Sequence, residues 1–219
     1  MTRITKISAL LIAVSAVASS AQADIFTDTT VFSTANPSLT TIDFEGLAAP
    51  GDFTGNSDSF YNSLGIELST PNAGLNTVVS GPGGSFSFAS SSLTSNAFGA
   101  SIEIGFTNDV SAVGFNVAVM DFATFQPGSV IVDVFNGSTL IETQSFSTAA
   151  FSSFTSFIGF SNLGSNITSI LVTPVGSSFS QLAIDNLSFN TVQVVPVPTA
   201  ALAGLGLLGS MGAYRRIRK

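Results

Sequence analysis

The chain contains no cysteine, no histidine and no tryptophan. Its six basic residues are Arg3, Lys6, Arg215, Arg216, Arg218 and Lys219, so the whole stretch between Lys6 and Arg215 lacks a cation. Each absence removes a class of function. Without cysteine there are no disulfides and no thiolate chemistry. Without histidine or an internal lysine, a serine nucleophile has no base. A zinc hydrolase site normally draws on histidine or cysteine, and neither is present. Nucleic-acid binding needs lysine and arginine to neutralise phosphates, which excludes it for the body of the chain. The thirteen acidic residues, Asp24 to Asp185, therefore have no internal ion-pair partner. Each carboxylate there must stay in water, take up a proton or meet a metal ion.

What is present suits a packed domain. The 219 residues are 45% hydrophobic and only 9% charged, and twenty are phenylalanine. Such a composition can bury a sizeable core and does not fit an intrinsically disordered acidic chain. The length allows one domain with segments at either end.

Both ends carry export signals. Arg3 and Lys6 form a positive n-region, Ile7 to Val17 an apolar stretch, and Ala21-Gln22-Ala23 a small-x-small cleavage pattern. Residues 1–23 read as a signal peptide handled by Sec-type machinery, with the mature chain starting at Asp24. At the other end, Val195-Pro196-Val197-Pro198 is a stiff extended segment, because each proline fixes φ and restricts its predecessor. Thr199 to Tyr214 is almost wholly apolar, and Arg215, Arg216, Arg218 and Lys219 close the chain. Counted from Val194, the apolar run reaches the ~20 residues that a transmembrane helix needs. The basic cluster would anchor it on the cytoplasmic side.

Between these ends, residues 24–193 show strand signals and almost no helix signal. Ile102, Ile104 and Phe106 share one face of an alternating run, as do Val113, Phe115, Val117 and Val119. Asn136-Gly137 between Val130–Phe135 and Leu140–Phe146 predicts a hairpin with a type I′ turn. Further strands are expected near Thr41–Glu45, Ile66–Ser69, Phe157–Phe160, Ile167–Thr173 and Leu182–Phe189. The fold class is all-β. The architecture expected is an antiparallel β-sandwich of jelly-roll type, with a β-helix as the runner-up.

The order of the tail, a proline-bearing tetrapeptide, a short Gly/Leu/Ala helix and a terminal arginine cluster, resembles the PEP-CTERM sorting signals. It is closest to their Val-Pro-Leu-Pro-type variants, departing at Val197 and Thr199. The resemblance implies processing by an exosortase-like membrane enzyme in a Gram-negative bacterium that makes exopolysaccharide. It implies an inner-membrane intermediate, then the cell surface or a biofilm matrix. Ile42-Asp43-Phe44-Glu45, Leu64-Gly65-Ile66, Val113-Gly114-Phe115 and Ile184-Asp185-Asn186-Leu187 make the domain similar to the lectin-like and carbohydrate-binding-module-like sandwiches found among such proteins. That second resemblance implies a structural calcium held by Asp43, Glu45 and Asp185.

The expected function is non-enzymatic: an exported surface or extracellular-matrix protein sorted by its tail. The alternative is a calcium-stabilised glycan-binding module of the same envelope or matrix, with exopolysaccharide as partner. A two-carboxylate glycosidase is disfavoured because arginine, histidine and tryptophan, which would hold and stabilise the sugar, are missing. Tyr61 is the only tyrosine in the domain, so the loop residues Phe53, Phe60, Phe122 and Phe125 are the candidate stacking rings.

Overall fold

Short runs of β-branched and aromatic residues, punctuated by glycine, serine and asparagine, become thirteen strands and two short helices among the described residues. The computed structural model describes residues 23–55, 58–71, 77–83, 90–148 and 156–191. The expected signal peptide up to Gln22, the Val195–Pro198 motif, the apolar tail and its basic end lie outside the described residues. Among the described residues no helix is long and apolar enough to cross a membrane.

Strand β1 (Asp24–Phe26) leads into helix α1 (Thr29–Ala35), then β2 (Thr40–Ile42) and β3 (Phe53–Thr54). Helix α2 (Asp58–Ser63) precedes β4 (Ile66–Ser69), β5 (Thr77–Ser80) and β6 (Ser92–Ser95). Next come β7 (Ile102–Asp121), β8 (Gln126–Pro127), β9 (Ser129–Asn136) and β10 (Thr139–Ser147). β11 (Ser156–Ser161), β12 (Ile167–Val175) and β13 (Ser180–Thr191) complete the set, and the pairings between these strands are antiparallel.

The twenty-residue β7 organises the molecule by serving both layers. Its first part, Ile102 to Phe106, pairs with β12 on one side and β4 on the other, and β9 and β10 continue the sheet beyond β12. Its second part, Val110 to Asp121, pairs with β13 on one side and with β11, then β8, on the other. Ile102, Ile104, Val132 and Ile170 of the first layer pack in one core with Phe115, Val117, Phe160 and Ile184 of the second. This is an all-β antiparallel sandwich, as the alternation requires when both inner faces are apolar.

Four local expectations need correction. The runs 100–106 and 113–119 are one continuous strand rather than two, because the exposed Thr107-Asn108-Asp109 step carries β7 across from one layer to the other. The strand expected over Thr41–Glu45 stops at Ile42, since Phe44 adopts a left-handed backbone (φ +57°) that no ladder continues. The hairpin forms, but its two central residues are Gly137 and Ser138: Asn136 already pairs with Thr139. Gly137 alone has positive φ (+57°), the signature of a type II′ turn instead of I′. The second part of β7 is buried on both faces, not one. Phe32 of α1, with Phe26 and Leu39, covers Ala112 and Phe157, and Phe122 covers Ala118, Met120 and Ala183.

Helix α1 forms from an unpromising Thr-Thr-Val-Phe-Ser-Thr-Ala sequence. Its start is fixed by Asp28, whose carboxylate accepts from Thr30 N (2.8 Å) and Val31 N (2.9 Å). Its anchor is Phe32, 1% exposed, lying over the facing glycines Gly114 and Gly159.

Candidate functional site

The middle of β13 changes partner. Ala183 and Ile184 pair with Thr94 and Leu93 of β6, whereas Leu187, Ser188 and Phe189 pair with Ile42, Thr41 and Thr40 of β2. Between these two partners the register against β7 also slips: Asp185 faces Asn116 and Ser188 faces Gly114, leaving a bulge at Asn186 and Leu187. Asn186 has φ +50°, a conformation asparagine tolerates better than most residues. The ends of β6 and β2 thus leave β13 at the same point, and they leave Asp185 between them.

Three carboxylates and two serines converge there. Ser90 Oγ donates to Asp185 Oδ2 (2.9 Å), and Asn186 N donates to Asp185 Oδ1 (2.7 Å). Ser91 N donates to Glu45 Oε1 (3.2 Å), and Glu45 N donates to Asp43 Oδ1 (3.2 Å). Asp185 is 4% exposed, while Asp43 and Glu45 stand in solvent. Burial pushes the Asp185 carboxyl up to about 6, and the neighbouring charges of Glu45 and Asp43 add to the rise. The hydrogen bonds from Ser90 and Asn186 pull the other way without cancelling it. Beside them, Ser91 Oγ and Ser92 Oγ are buried with no protein hydrogen-bond partner.

This donor set is all oxygen, which fits a hard cation such as calcium and does not fit a thiophilic metal. As they stand, no three acidic side chains among the described residues are gathered tightly enough to enclose a metal ion. Asp43 and Glu45 also border a cleft of about 350 Å³, floored by Phe44, Phe60 and Leu64.

The remaining sequence candidates fall elsewhere. Asp24 opens β1 at the far edge of the second layer and accepts from Asn162 Nδ2 (2.6 Å). Phe60 is half-buried against Tyr61 on α2, Phe53 lies in β3, and Phe122 and Phe125 stand in the turn after β7. Sequence reasoning missed Ser90 and Ser91, which sit in a run of small polar residues with no local pattern. Asp121, the last residue of β7, lies apart from this junction. Its carboxylate accepts from Ser177 Oγ (2.5 Å) and Ala123 N (2.9 Å), and these bonds hold it below the usual carboxylate range.

No protein-family model matches the sequence, and no curated protein matches it. Several solved structures are similar in shape. One is the K2 cleaved adhesin domain of Lys-gingipain, 12% identical, covering 70% of this chain and all of that one, with a TM-score of 0.43. Another is the C-terminal family 22 carbohydrate-binding module of a Clostridium thermocellum xylanase, 12% identical, covering 72% of this chain and 94% of that one, with a TM-score of 0.35. A third is a Clostridium stercorarium carbohydrate-binding module in complex with cellobiose, 20% identical, covering 56% of this chain and 86% of that one, with a TM-score of 0.31. The shape neighbours thus include carbohydrate-binding modules, and at these scores the chain's own residues have to carry any functional reading.

Proposed function

We propose that this is an exported, non-enzymatic surface or extracellular-matrix protein of a Gram-negative bacterium, sorted by its C-terminal tail. Export rests on Arg3, Lys6 and the Ala21-Gln22-Ala23 pattern, and tail sorting on Val195-Pro196-Val197-Pro198 with Arg215, Arg216, Arg218 and Lys219. A chain cut after Ala23 keeps β1 whole, because that strand begins at Asp24. Sec-type machinery, an exosortase-like enzyme and the inner membrane are the partners this reading requires.

A specific observation favours a second reading, that the sandwich is a calcium-stabilised glycan-binding module. That observation is the buried Asp185 facing Asp43 and Glu45 in a domain with no cation of its own. Three carboxylates that repel one another are stabilised together by one divalent ion. Asp43, Glu45 and Asp185 would hold it, with Asp43 and Glu45 drawn inward from solvent. Calcium there would tie the ends of β2 and β6 to β13.

Intact mass spectrometry of the native protein from envelope and medium fractions tests the export reading. The expected mass begins at Asp24 and ends near Pro198. A mass that retains Lys219 means a plain membrane anchor and removes the sorting enzyme from the scheme.

A further inference from the structure

Three segments far apart in sequence bring four phenylalanines to one end of the second layer. Phe98 comes from the β6–β7 connection, Phe122 and Phe125 from the turn between β7 and β8, and Phe179 from the β12–β13 connection. Their rings run edge to face. Phe98 and Phe122 are 5.3 Å apart between centroids, Phe98 and Phe179 6.1 Å, and Phe122 and Phe125 6.5 Å. Three of them are nonetheless open to solvent: Phe98 is 44% exposed, Phe179 55% and Phe125 64%, while Phe122 is half-buried over Ala118, Met120 and Ala183 and supports them. Scattered surface phenylalanines need no explanation, but a contiguous aromatic patch does.

The backbone beneath is held in place. Asp121 accepts from Ser177 Oγ and Ala123 N, Phe122 N donates to Phe179 O (3.3 Å), and Gly99 N donates to Ser180 O (2.6 Å). Phe125 also has φ +55°, which is costly for a bulky residue. So the turn holds a strained backbone at a ring that packs edge to face on Phe122 and keeps most of its surface in solvent.

The surroundings say what chemistry suits the patch. Segments 96–100, 122–128 and 176–179 contain no charged residue, and their polar groups are hydroxyls and amides such as Asn96, Thr124, Gln126 and Ser178. The domain carries thirteen acidic residues and no basic one. A second copy, an anionic bilayer or a uronic-acid polymer would each meet like charge over a wide surface. A basic protein would find no exposed counter-charge at the rings. A neutral sugar chain matches both features, since its apolar C–H face stacks on aromatic rings and its hydroxyls pair with hydroxyls and amides.

We propose that Phe98, Phe122, Phe125 and Phe179 form the platform on which this protein binds a neutral polysaccharide. This rests on the glycan-binding reading of the domain. Rings on three separate loops would span successive sugars instead of closing around one, so internal stretches of a polymer are the ligand, not chain ends.

Affinity electrophoresis of the exported protein in native gels tests it, with hydroxyethylcellulose, dextran and galactomannan as neutral probes and alginate as the acidic one. The expected result is retardation by at least one neutral polymer and none by alginate. Phe125→Ala and Phe179→Ala should each weaken retardation roughly tenfold, the order of affinity a stacked ring supplies, with melting temperature unchanged or raised. Retardation that survives both substitutions overturns the platform and leaves the glycan-binding reading standing. No retardation by any neutral polymer overturns both. Sedimentation showing self-association, or flotation with phosphatidylcholine vesicles, that Phe125→Ala abolishes in the absence of glycan would assign the patch to a second copy or to a lipid surface and overturn the proposal.

Discussion

Exchanging Asp185 for asparagine is expected to raise the melting temperature in calcium-free buffer at pH 7 and to flatten its dependence on pH. The reason is the sign of the shift. The folded protein holds the Asp185 proton up to about pH 6, whereas its ordinary value is 3.8. Between those values the native state binds more protons than the unfolded one, so stability falls as pH rises through this window. Above it, the native state carries a buried, repelled carboxylate. Asparagine keeps an acceptor for Asn186 N and a partner for Ser90 Oγ without the charge. The gain at pH 7 should be a few degrees, given that ~1 kcal/mol moves the midpoint of a domain this size by roughly 2–4 °C. Thermal melts of both proteins from pH 4 to 8 check this. If the wild-type protein melts no higher at pH 5 than at pH 7, and the variant follows it, the carboxylate is not a stability liability and the reading of the junction fails. Asp121 titrates with the opposite sign and at lower pH, so the difference between variant and wild type isolates Asp185.

The second large effect lies on the outer face of the same layer. Alanine at Gly159 would place its Cβ 2.6 Å from Phe32 Cδ2, and alanine at Gly114 would place one 2.6 Å from Phe157 Cζ and 2.9 Å from Phe32 Cε1. No ring can stay there. Gly159→Ala should lift Phe32 and loosen α1, costing ~1–3 kcal/mol as overpacking does. Phe32→Ala should cost more, about 3–5 kcal/mol, because it also strips the packing from Phe26 and Phe157, whose rings each lie 5.4 Å from Phe32. The two changes should not add. Once the Phe32 ring is gone only Phe157 Cε1, at 3.1 Å, still crowds a Cβ at 159, so the double variant should melt close to Phe32→Ala alone. Strict additivity in urea melts would show that the glycines do not form the slot.

The strands were legible where one face was apolar and the other was not. Ile66–Ser69, Val130–Phe135 and Ile167–Thr173 are such cases, and β4, β9 and β12 lie where the alternation placed them. β5 and β6 were not legible: Ser92-Leu93-Thr94-Ser95 is buried throughout, so a polar sequence there faces protein on both sides. The helices were missed because seven and six residues are too few for a helical period to appear. Asp28, three residues ahead of Val31-Phe32, was the readable trace of α1, through its cap. At the junction, Asp43, Glu45 and Asp185 entered by resemblance, and their convergence depends on the partner change along β13, which no local pattern encodes. The aromatic platform was half-legible. Phe122 and Phe125 stood out between Asp121 and Pro127, whereas Phe98 and Phe179 lie in Ser/Asn/Gly runs and meet the other rings only through the fold.

Calorimetric titration of calcium into the protein at pH 7 and at pH 5 tests the junction most directly. The predicted result is saturable binding at pH 7 that weakens at pH 5, where Asp185 takes up a proton, and disappears in Asp185→Asn. Absence of saturable binding at pH 7, or binding that Asp185→Asn leaves intact, would contradict the assignment of Asp43, Glu45 and Asp185 as a calcium site.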